Sequence, residues 1–482
     1  MIIAVFFRLF NLNALPPGLY PDEAMNGNNA LEATWKVFYP ENNGREGLFM
    51  NIQAVFLIIF GNYAWVLRLV SALFGIFTVL GIYFLTKELF TKNIALLSSF
   101  FIATSFWHIN FSRIGFRAIM APFFLVWGIY FLILAYRKIK EEHFGSLNPV
   151  SQKKFPLVGY SVLAGIFYGL GFHSYIAYRA TPVILFFVIL FYLIKSHGFR
   201  KQIITYTCYF LLATFIVGAP LGLYFLKNPQ DFFGRTTQIS IFSSDNPIYE
   251  LGINTVKTLA MFNFSGDWNW RHNFAGKPEL QWFVGALFLI GIIISLYEIA
   301  RKKYRSQNLI LFIWFIISAM PVVVSNEGLP HALRAILFIP PIFIFAGKGG
   351  IKIYDFVKNK LPANFKIFDI ACALILIILA TQTYVTYFVS WANSQEVFDS
   401  FTGEYARVGN ELDALPDQLP KYVIVEAGGV DVRGIPMPAQ TVMFLTDTFT
   451  PDKQEKRNLH YLLPDQEFQI PDPEKSYITR IK

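Results

Sequence analysis

Cysteine is almost absent from this chain, which has only Cys208 and Cys372 among its 482 residues. Both lie within apolar runs, and neither belongs to a CxxC or other metal-type spacing. We interpret them as small buried hydrophobic residues. The sequence therefore predicts neither a disulfide-stapled fold nor a cysteine-ligated metal, and it gives no information on the redox compartment.

Charged residues are also scarce, at 15% of the chain, whereas hydrophobic residues reach 54% and mean hydropathy is +0.44. Soluble globular chains carry about 25% charged residues. The 52 phenylalanines suit helices that face lipid. This composition predicts a polytopic membrane protein rather than a string of soluble domains.

A nucleotide-binding signature is missing as well, because no predicted strand leads through a glycine-rich turn into a helix. An enzyme with a cytosolic Rossmann-like domain for a nucleotide sugar is therefore not expected. The apolar segment 1–12 is too short to span and contains Arg8, and it lacks a cleavage-like site. We interpret it as the end of a first spanning helix.

Apolar stretches close to the roughly 20 residues that a spanning helix needs recur along the chain. With segment 1–12 they predict about 11 transmembrane helices. The other ten lie near 67–86, 93–109, 118–136, 157–175, 181–195, 203–225, 280–299, 308–324, 332–347 and 367–390. The shorter segment 48–61 predicts an interfacial or re-entrant helix, and 24–38 a further surface helix.

Lysine and arginine cluster in every second loop between these spans, for example at 137–154, 195–201, 301–305 and 348–366. By the positive-inside rule those loops are cytoplasmic, which puts the N-terminus inside and everything after 390 outside. We predict a multi-pass protein of the plasma (inner) membrane. The same pattern explains the net charge of +9 without a nucleic-acid partner.

The polar tail 391–482 predicts a small extracytoplasmic α/β domain. Apolar residues recur at helical spacing from Val397 to Leu412, and 422–425 resembles a buried strand. Such a short domain has a marginal core and is expected to lean on the membrane domain. The predicted organisation is a transmembrane domain at 1–390, with outer-face loops 13–66 and 227–279, followed by the tail at 391–482.

Two adjacent carboxylates, Asp22 and Glu23, follow the first apolar segment, on the predicted outer side. A helix cap in a solvated loop explains them as well as a catalytic role does. In the catalytic interpretation one carboxylate is a general base for a hydroxyl or amine. Its neighbour would orient it, hold a metal or bind the acceptor. Glu46, in the same loop, could add a carboxylate.

Basic and aromatic residues gather in the next two outer joints. The first contains His108, Arg113 and Arg117, and the second contains His173, Tyr175 and Arg179. Arginine matches phosphate oxygens with a fork of donors, which favours a phosphate-bearing lipid ligand. The alternatives are snorkelling to lipid headgroups and an interfacial aromatic belt.

Two later outer elements carry further polar groups. Asp267, Trp268 and Arg271 lie in one stretch whose residue types could grip a sugar, although a tryptophan anchor at the interface explains it equally well. His331 and Arg334 are three residues apart at the start of a span, so they can share one helix face. Charge there is expensive without a partner, and an anionic ligand would supply one.

Together these motifs resemble the membrane-embedded glycosyltransferases of the GT-C type, in particular protein O-mannosyltransferases and lipid A aminoarabinose transferases. Asp22-Glu23 resembles that family's Asp-Glu pair in the first outer loop, and 112–117 resembles its next basic joint. The stretch 331–334 resembles its late His/Arg motif. The resemblance covers roughly 1–390, and the tail has no matching motif.

The resemblance implies an all-α polytopic fold with the small α/β tail, and an inverting transfer of a sugar from a polyprenyl-phosphate donor. The acceptor could be a lipid, a glycan or a protein. Asp22 would be the base and Glu23 its support, with the donor phosphate held by Arg113, Arg117, His331 and Arg334. A divalent metal at Asp22 and Glu23 is left open. Further candidate substrate contacts are Glu46, His108, His173, Tyr175, Arg179, Asp267, Trp268 and Arg271.

The sequence leaves two rival functions open. A transporter or flippase of lipid-linked sugars would need polar residues in mid-span, whereas the mid-spans here are nearly all apolar. A polysaccharide polymerase or ligase would share the donor chemistry and differ only in its acceptor.

Overall fold

The computed structural model describes residues 1–144, 155–196, 198–238, 240–243, 245–326, 328–360 and 365–482. Lys153 and Lys154, from one of the basic loops, lie outside the described residues. The chain forms two compact units. The first, here the helical unit, comprises Met1–Phe7, Phe74–Phe111 and Arg117–Tyr384. The second, here the mixed unit, comprises Arg8–Leu73, Ser112–Phe116 and Val385–Lys482. The predicted division at residue 390 stays a prediction.

Helices make up most of the described chain. They are α1 (Ile2–Leu9), α2 (Pro21–Leu31), α3 (Leu48–Phe60), α4 (Ala64–Leu89), α5 (Lys92–Ala103), α6 (Phe106–Phe111), α7 (Met120–Phe144), α8 (Phe155–Gly171), α9 (Thr181–Lys195), α10 (Arg200–Lys227), α11 (Pro229–Gln238), α12 (Pro247–Ala260), α13 (Trp282–Ala300), α14 (Arg305–Val323), α15 (Ile339–Lys360), α16 (Phe365–Tyr384), α17 (Gln395–Ser400), α18 (Gly403–Asp413), α19 (Gln440–Leu445) and α20 (Pro451–Arg457). The strands are β1 (Phe38–Tyr39), β2 (Arg45–Glu46), β3 (Lys421–Val425), β4 (Asp431–Val432), β5 (Ile435–Pro436), β6 (Leu459–Leu462) and β7 (Tyr477–Ile481). The predicted helical membrane fold is confirmed.

Eight helices in the described residues are long and apolar enough to cross a membrane. They are Ala64–Leu89, Arg117–Glu141, Ile176–Lys195, Arg200–Lys227, Trp282–Ala300, Arg305–Val323, Ile336–Lys360 and Lys366–Trp391. The other three predicted spans coincide with α1, α5 and α8, which are shorter than these eight, at 8, 12 and 17 described residues. α5 ends early because the chain turns at Thr104, where the predicted span 93–109 had continued.

Close helix packing in the helical unit depends on small residues. Gly165 and Gly169 are four apart on α8, and both face α10. A Cβ at Gly165 would lie 2.3 Å from the Phe210 carbonyl oxygen, and one at Gly169 would lie 2.9 Å from the Val217 Cβ. This spacing lets two helix backbones approach closely, as is common between membrane helices.

In the mixed unit the tail forms a three-stranded parallel sheet in the order β6-β3-β7. The predicted strand 422–425 is confirmed as the central strand, β3. The predicted helix over 397–412 is instead two helices, α17 and α18, because Thr402 adopts a left-handed φ of 50° between them. The Thr402 hydroxyl donates to the Leu19 carbonyl at 2.9 Å.

Helix α2 packs within this same α/β core. Met25 of α2 belongs to the buried cluster that includes Val423, Val442 and Leu412. Asn28 donates its amide to the main-chain oxygen of Gln440 at 3.1 Å and to its side-chain oxygen at 2.9 Å. The tail therefore holds α2, and with it Asp22 and Glu23, in a fixed position.

The packing of α2 against the tail can be tested at Gly27, which lies against the Phe444 ring. A Cβ at Gly27 would lie 2.4 Å from a ring whose side chain is fully buried. We expect Gly27→Ala to lower the free energy of unfolding by about 1–3 kcal/mol through overpacking. The matched control is Gly252→Ala in exposed α12, where nothing lies within 4 Å and alanine should stabilise the helix slightly. Denaturant unfolding of the two variants in detergent should separate them, and equal stabilities would refute the packing.

Candidate functional site

The two acidic residues occupy the first turn of α2, whose first residue is Pro21. Acidic side chains there complement the positive end of the helix dipole. The Glu23 carboxylate accepts a hydrogen bond from the Tyr20 backbone N–H at 3.3 Å, which is the return half of a capping box. The local sequence therefore fixes where α2 begins and places both carboxylates at that end.

Glu23 is fully buried, and N–H donors occupy its carboxylate. Arg68 donates to both oxygens, from Nε at 3.1 Å and from Nη2 at 3.2 Å, and the Gly115 N–H donates at 2.6 Å. The same guanidinium reaches the carbonyls of Pro16 and Gly18, each at 2.7 Å. Glu23 and Arg68 thus tie three separate chain segments together.

Asp22 differs from its neighbour because it is only half-buried. Its Oδ1 accepts a hydrogen bond from the Asn42 side-chain amide at 2.5 Å. A carboxylate that keeps accessible oxygen atoms can take a proton, whereas the enclosed carboxylate of Glu23 cannot reach an incoming molecule. The structure therefore separates the pair into an anchor and a group available for chemistry.

A divalent metal shared by the two carboxylates does not fit this arrangement. Such an ion needs free oxygen lone pairs at about 2.0–2.6 Å. Both Glu23 oxygens already accept hydrogen bonds from Arg68 or from main-chain N–H groups. Of this pair, Asp22 alone keeps the access that a ligand to a metal would need.

Strand β2 supports α2 from another side. Arg45 is buried and donates to Asn26 Oδ1 at 2.8 Å and to Asn29 Oδ1 at 2.5 Å. Glu46, a predicted substrate contact, is also buried in this strand. The Arg45 contacts satisfy the side-chain oxygens of Asn26 and Asn29, which would otherwise be costly to bury.

Arg113, a predicted phosphate contact, is completely buried in the mixed unit. Its guanidinium donates to the carbonyls of Asn11 and Leu15, at 3.2 and 3.0 Å, and lies over the rings of Tyr387 and Phe388. Burial lowers the pKa of Arg113, and the neighbouring Tyr387 opposes that shift. The contacts favour a structural role, and the predicted phosphate contact stays a prediction.

A second polar cluster lies in the helical unit. Asp267 Oδ2 is 3.0 Å from His272 Nδ1 and 3.9 Å from His331 Nδ1, and the two imidazole rings stack with centroids 4.9 Å apart. The Ala332 N–H also donates to Oδ2, at 2.8 Å. Two of the predicted residues, Asp267 and His331, are thus brought together although 64 positions separate them in the sequence.

Glu279 fixes the loop that carries Asp267. Its carboxylate is buried and accepts the Asp267 backbone N–H at 3.0 Å. Burial raises the pKa of Glu279 well above its usual value. The hydrogen bond from the Asp267 N–H opposes this rise, whereas the negative charge of the Asp267 carboxylate adds to it. A hydrogen bond between two of its own residues, Asp267 and Glu279, therefore fixes this loop.

The remaining predicted residues of the helical unit have separate surroundings. The Arg117 guanidinium lies 5.8 Å from the Tyr175 ring centre, so these two do meet. Arg179 donates to the Phe232 carbonyl, His173 Nε2 is 2.9 Å from the Val217 carbonyl, and Arg334 donates to Ser325. His108 is buried in α6, Trp268 is exposed, and Arg271 donates to Asn269 Oδ1.

Sequence reasoning did not single out Arg68, Asn42, His272 or Glu279. For Arg68 a signal existed, because it is a charged residue just inside the predicted span 67–86 and such a charge needs a partner. Asn42 and Glu279 carry no comparable local signal, since only the folded chain brings them to Asp22 and Asp267.

Comparison with known proteins supports the same class of fold. Residues 48–221 match the family model described as dolichyl-phosphate-mannose-protein mannosyltransferase. The matched segment begins after Asp22 and Glu23, so the family match gives no information on the role of either residue. No curated protein sequence is significantly similar to the chain.

Two of the solved structures that share the fold have low sequence identity to this chain. Oligosaccharyltransferase from Archaeoglobus fulgidus in the apo form is 14% identical with a TM-score of 0.52, covering 92% of this chain and 62% of its own. This chain thus spans about three fifths of that enzyme. ArnT from Cupriavidus metallidurans bound to undecaprenyl phosphate is 13% identical with a TM-score of 0.56, covering 99% of this chain and 88% of its own.

These matches confirm the predicted resemblance to membrane glycosyltransferases of the GT-C type. The likeness that they establish is one of fold, to multi-pass membrane glycosyltransferases.

The surroundings of Arg113 generate a test of its role. We expect Arg113→Lys to lower the free energy of unfolding by about 1.5–3 kcal/mol, because lysine cannot bridge two carbonyls and lie over two rings at once. The matched control is Arg137→Lys. The ion pair between Arg137 and Glu88 is partly exposed and should contribute little to the free energy of unfolding. Denaturant unfolding in detergent measures both. Unchanged stability with weakened binding of polyprenyl phosphate would instead support the phosphate contact.

Proposed function

We propose that this protein transfers a sugar from a polyprenyl-phosphate donor to a hydroxyl or amine acceptor, with Asp22 as the general base. The observation that carries the proposal is the separation of roles at the start of α2. Glu23 is enclosed by Arg68 and Gly115, while Asp22 is half-buried beside Asn42. A general base needs an accessible carboxylate in a fixed position, and Asp22 has both properties.

The nature of the donor is supported by the comparisons. The matching family model is named for dolichyl-phosphate mannose, and the ArnT structure is described as bound to undecaprenyl phosphate. Both are polyprenyl phosphates, so a lipid of this class is the donor carrier that we propose here. The sugar and the acceptor are not determined by these matches.

In the proposed reaction the acceptor hydroxyl or amine gives its proton to an Asp22 carboxylate oxygen. The acceptor lone pair attacks the anomeric carbon as the bond from that carbon to the phosphate oxygen breaks. Polyprenyl phosphate leaves with the bonding electrons. A single displacement inverts the anomeric centre. Asn42 fixes the orientation of Asp22 through its amide hydrogen bond.

Basic residues would receive the leaving phosphate. Arg117, His331 and Arg334 remain the proposed contacts, since a guanidinium donates charged hydrogen bonds to phosphate oxygens and an imidazole N–H can donate one as well. The carbonyl and ring contacts of Arg113 make it a weaker candidate. In this proposal Arg113 acts by holding the segment after Asn11 in place.

We further propose that the reaction takes place on the extracytoplasmic face of the membrane. The alternating clusters of lysine and arginine support that orientation. Reporter activity in the cytoplasm from a fusion placed after residue 390 would contradict it.

The assignment of Asp22 can be tested by Asp22→Asn. We expect transfer to fall by about 10²–10⁴-fold, because an amide cannot take the acceptor proton, while donor binding is retained. The measurement is release of labelled polyprenyl phosphate from a panel of polyprenyl-phosphate sugars, beginning with mannose, in membranes that contain the full chain.

The matched control is Asp431→Asn, an exposed aspartate of the tail, which should leave transfer unchanged. Transfer by Asp22→Asn at the wild-type rate would remove Asp22 as the base. No turnover of any donor in the panel by the wild-type protein would contradict the proposed function itself.

A further inference from the structure

We propose that Asp267, His272 and His331 form a binding site for a divalent metal ion of the zinc type. Among the described residues they are the group of metal-ligating side chains whose donor atoms all lie within 4.8 Å of one another. The proposed metal site shares His331 with the phosphate contacts proposed above but involves neither Asp22 nor Glu23, and all three ligands belong to the helical unit.

The distances suit a tetrahedral ion. Bonds of about 2.0–2.2 Å in a tetrahedral zinc site place neighbouring ligand atoms roughly 3.3–3.5 Å apart. Asp267 Oδ2 lies 3.0 Å from His272 Nδ1 and 3.9 Å from His331 Nδ1. The first distance is slightly shorter than that spacing and the second is slightly longer. All three donor atoms lie within 4.8 Å of one another, so small side-chain movements would bring them around one ion.

The ligand types point to zinc rather than to calcium or magnesium. Two imidazoles and one carboxylate are typical of zinc centres with three protein ligands and an open fourth position. Calcium and magnesium prefer sites made of oxygen atoms. The three side chains are mostly enclosed, with exposed fractions of 5% for Asp267, 7% for His272 and 15% for His331. Access to an ion would come from the side of His331.

The surroundings of the carboxylate resemble the supporting shell of a metal site. Asp267 Oδ1 accepts the Asn269 N–H at 2.8 Å, and Oδ2 accepts the Ala332 N–H at 2.8 Å. Hydrogen bonds of this kind orient ligands before the ion arrives and tune its affinity. Such a shell would be needed to hold two imidazoles against one carboxylate.

An ion here would clamp two distant parts of the helical unit. Asp267 and His272 lie in the loop between α12 and α13, whereas His331 follows α14. Because the ligands come from both segments, binding would restrain the loop against the start of the following span. This site does not involve Asp22 or Glu23.

The test begins with the full chain, purified in detergent, stripped with a chelator and titrated with Zn²⁺. We expect one tightly bound ion per chain by elemental analysis and chelator competition. His272→Ala and His331→Ala should each weaken zinc binding by at least 100-fold. The matched control is His460→Ala, a half-buried histidine of β6, which should bind zinc like the wild type. Asp22→Asn should also retain the ion.

Absence of stoichiometric zinc from the wild-type chain would overturn the proposal, and so would equal affinity in all the histidine variants. X-ray absorption of the zinc-loaded wild-type protein tests the same site without relying on variants that could fail to fold. The expected ligand shell has two imidazoles and one carboxylate. A shell of oxygen atoms alone would show that the ion binds elsewhere.

Discussion

The buried pair of Glu23 and Arg68 is the interaction on which the mixed unit depends. Taking two charges out of water costs several kcal/mol per ion, and the attraction offsets this cost only when geometry and extra hydrogen bonds are good. Both conditions are met here, because Arg68 also bonds two carbonyls and Glu23 also accepts the Gly115 and Tyr20 N–H groups. Removal of either partner would leave the other charge buried without its counter-ion.

This pair also explains why two adjacent carboxylates can do different work. The anchor fixes the first turn of α2, and the tail fixes the rest of the helix through Met25 and Asn28. Asp22 then projects from a rigid element while remaining half-buried. Precise placement on a supported helix is what a catalytic group requires. The C-terminal tail thus helps to position the proposed base.

Composition and periodicity were enough to predict the helical membrane fold and strand β3, since hydrophobic patterns report burial directly. They could not show that α5 stops at Ala103, because hydropathy does not register the turn at Thr104. Nor could they say which of Asp22 and Glu23 is enclosed. That outcome depends on Arg68 and Gly115, which are 45 and 92 positions from Glu23. The charge of Arg68 inside a predicted span indicates that it needs a partner, but no local pattern identifies Glu23 as that partner.

A double-mutant cycle over Glu23→Gln and Arg68→Met tests the central claim most directly. Free energies of unfolding for the wild type, both single variants and the double variant give the coupling between the two side chains. We predict that each single variant loses about 3–5 kcal/mol and that the double variant recovers at least about 2 kcal/mol of the summed loss. Additive losses, with no coupling, would show that the pair does not anchor α2.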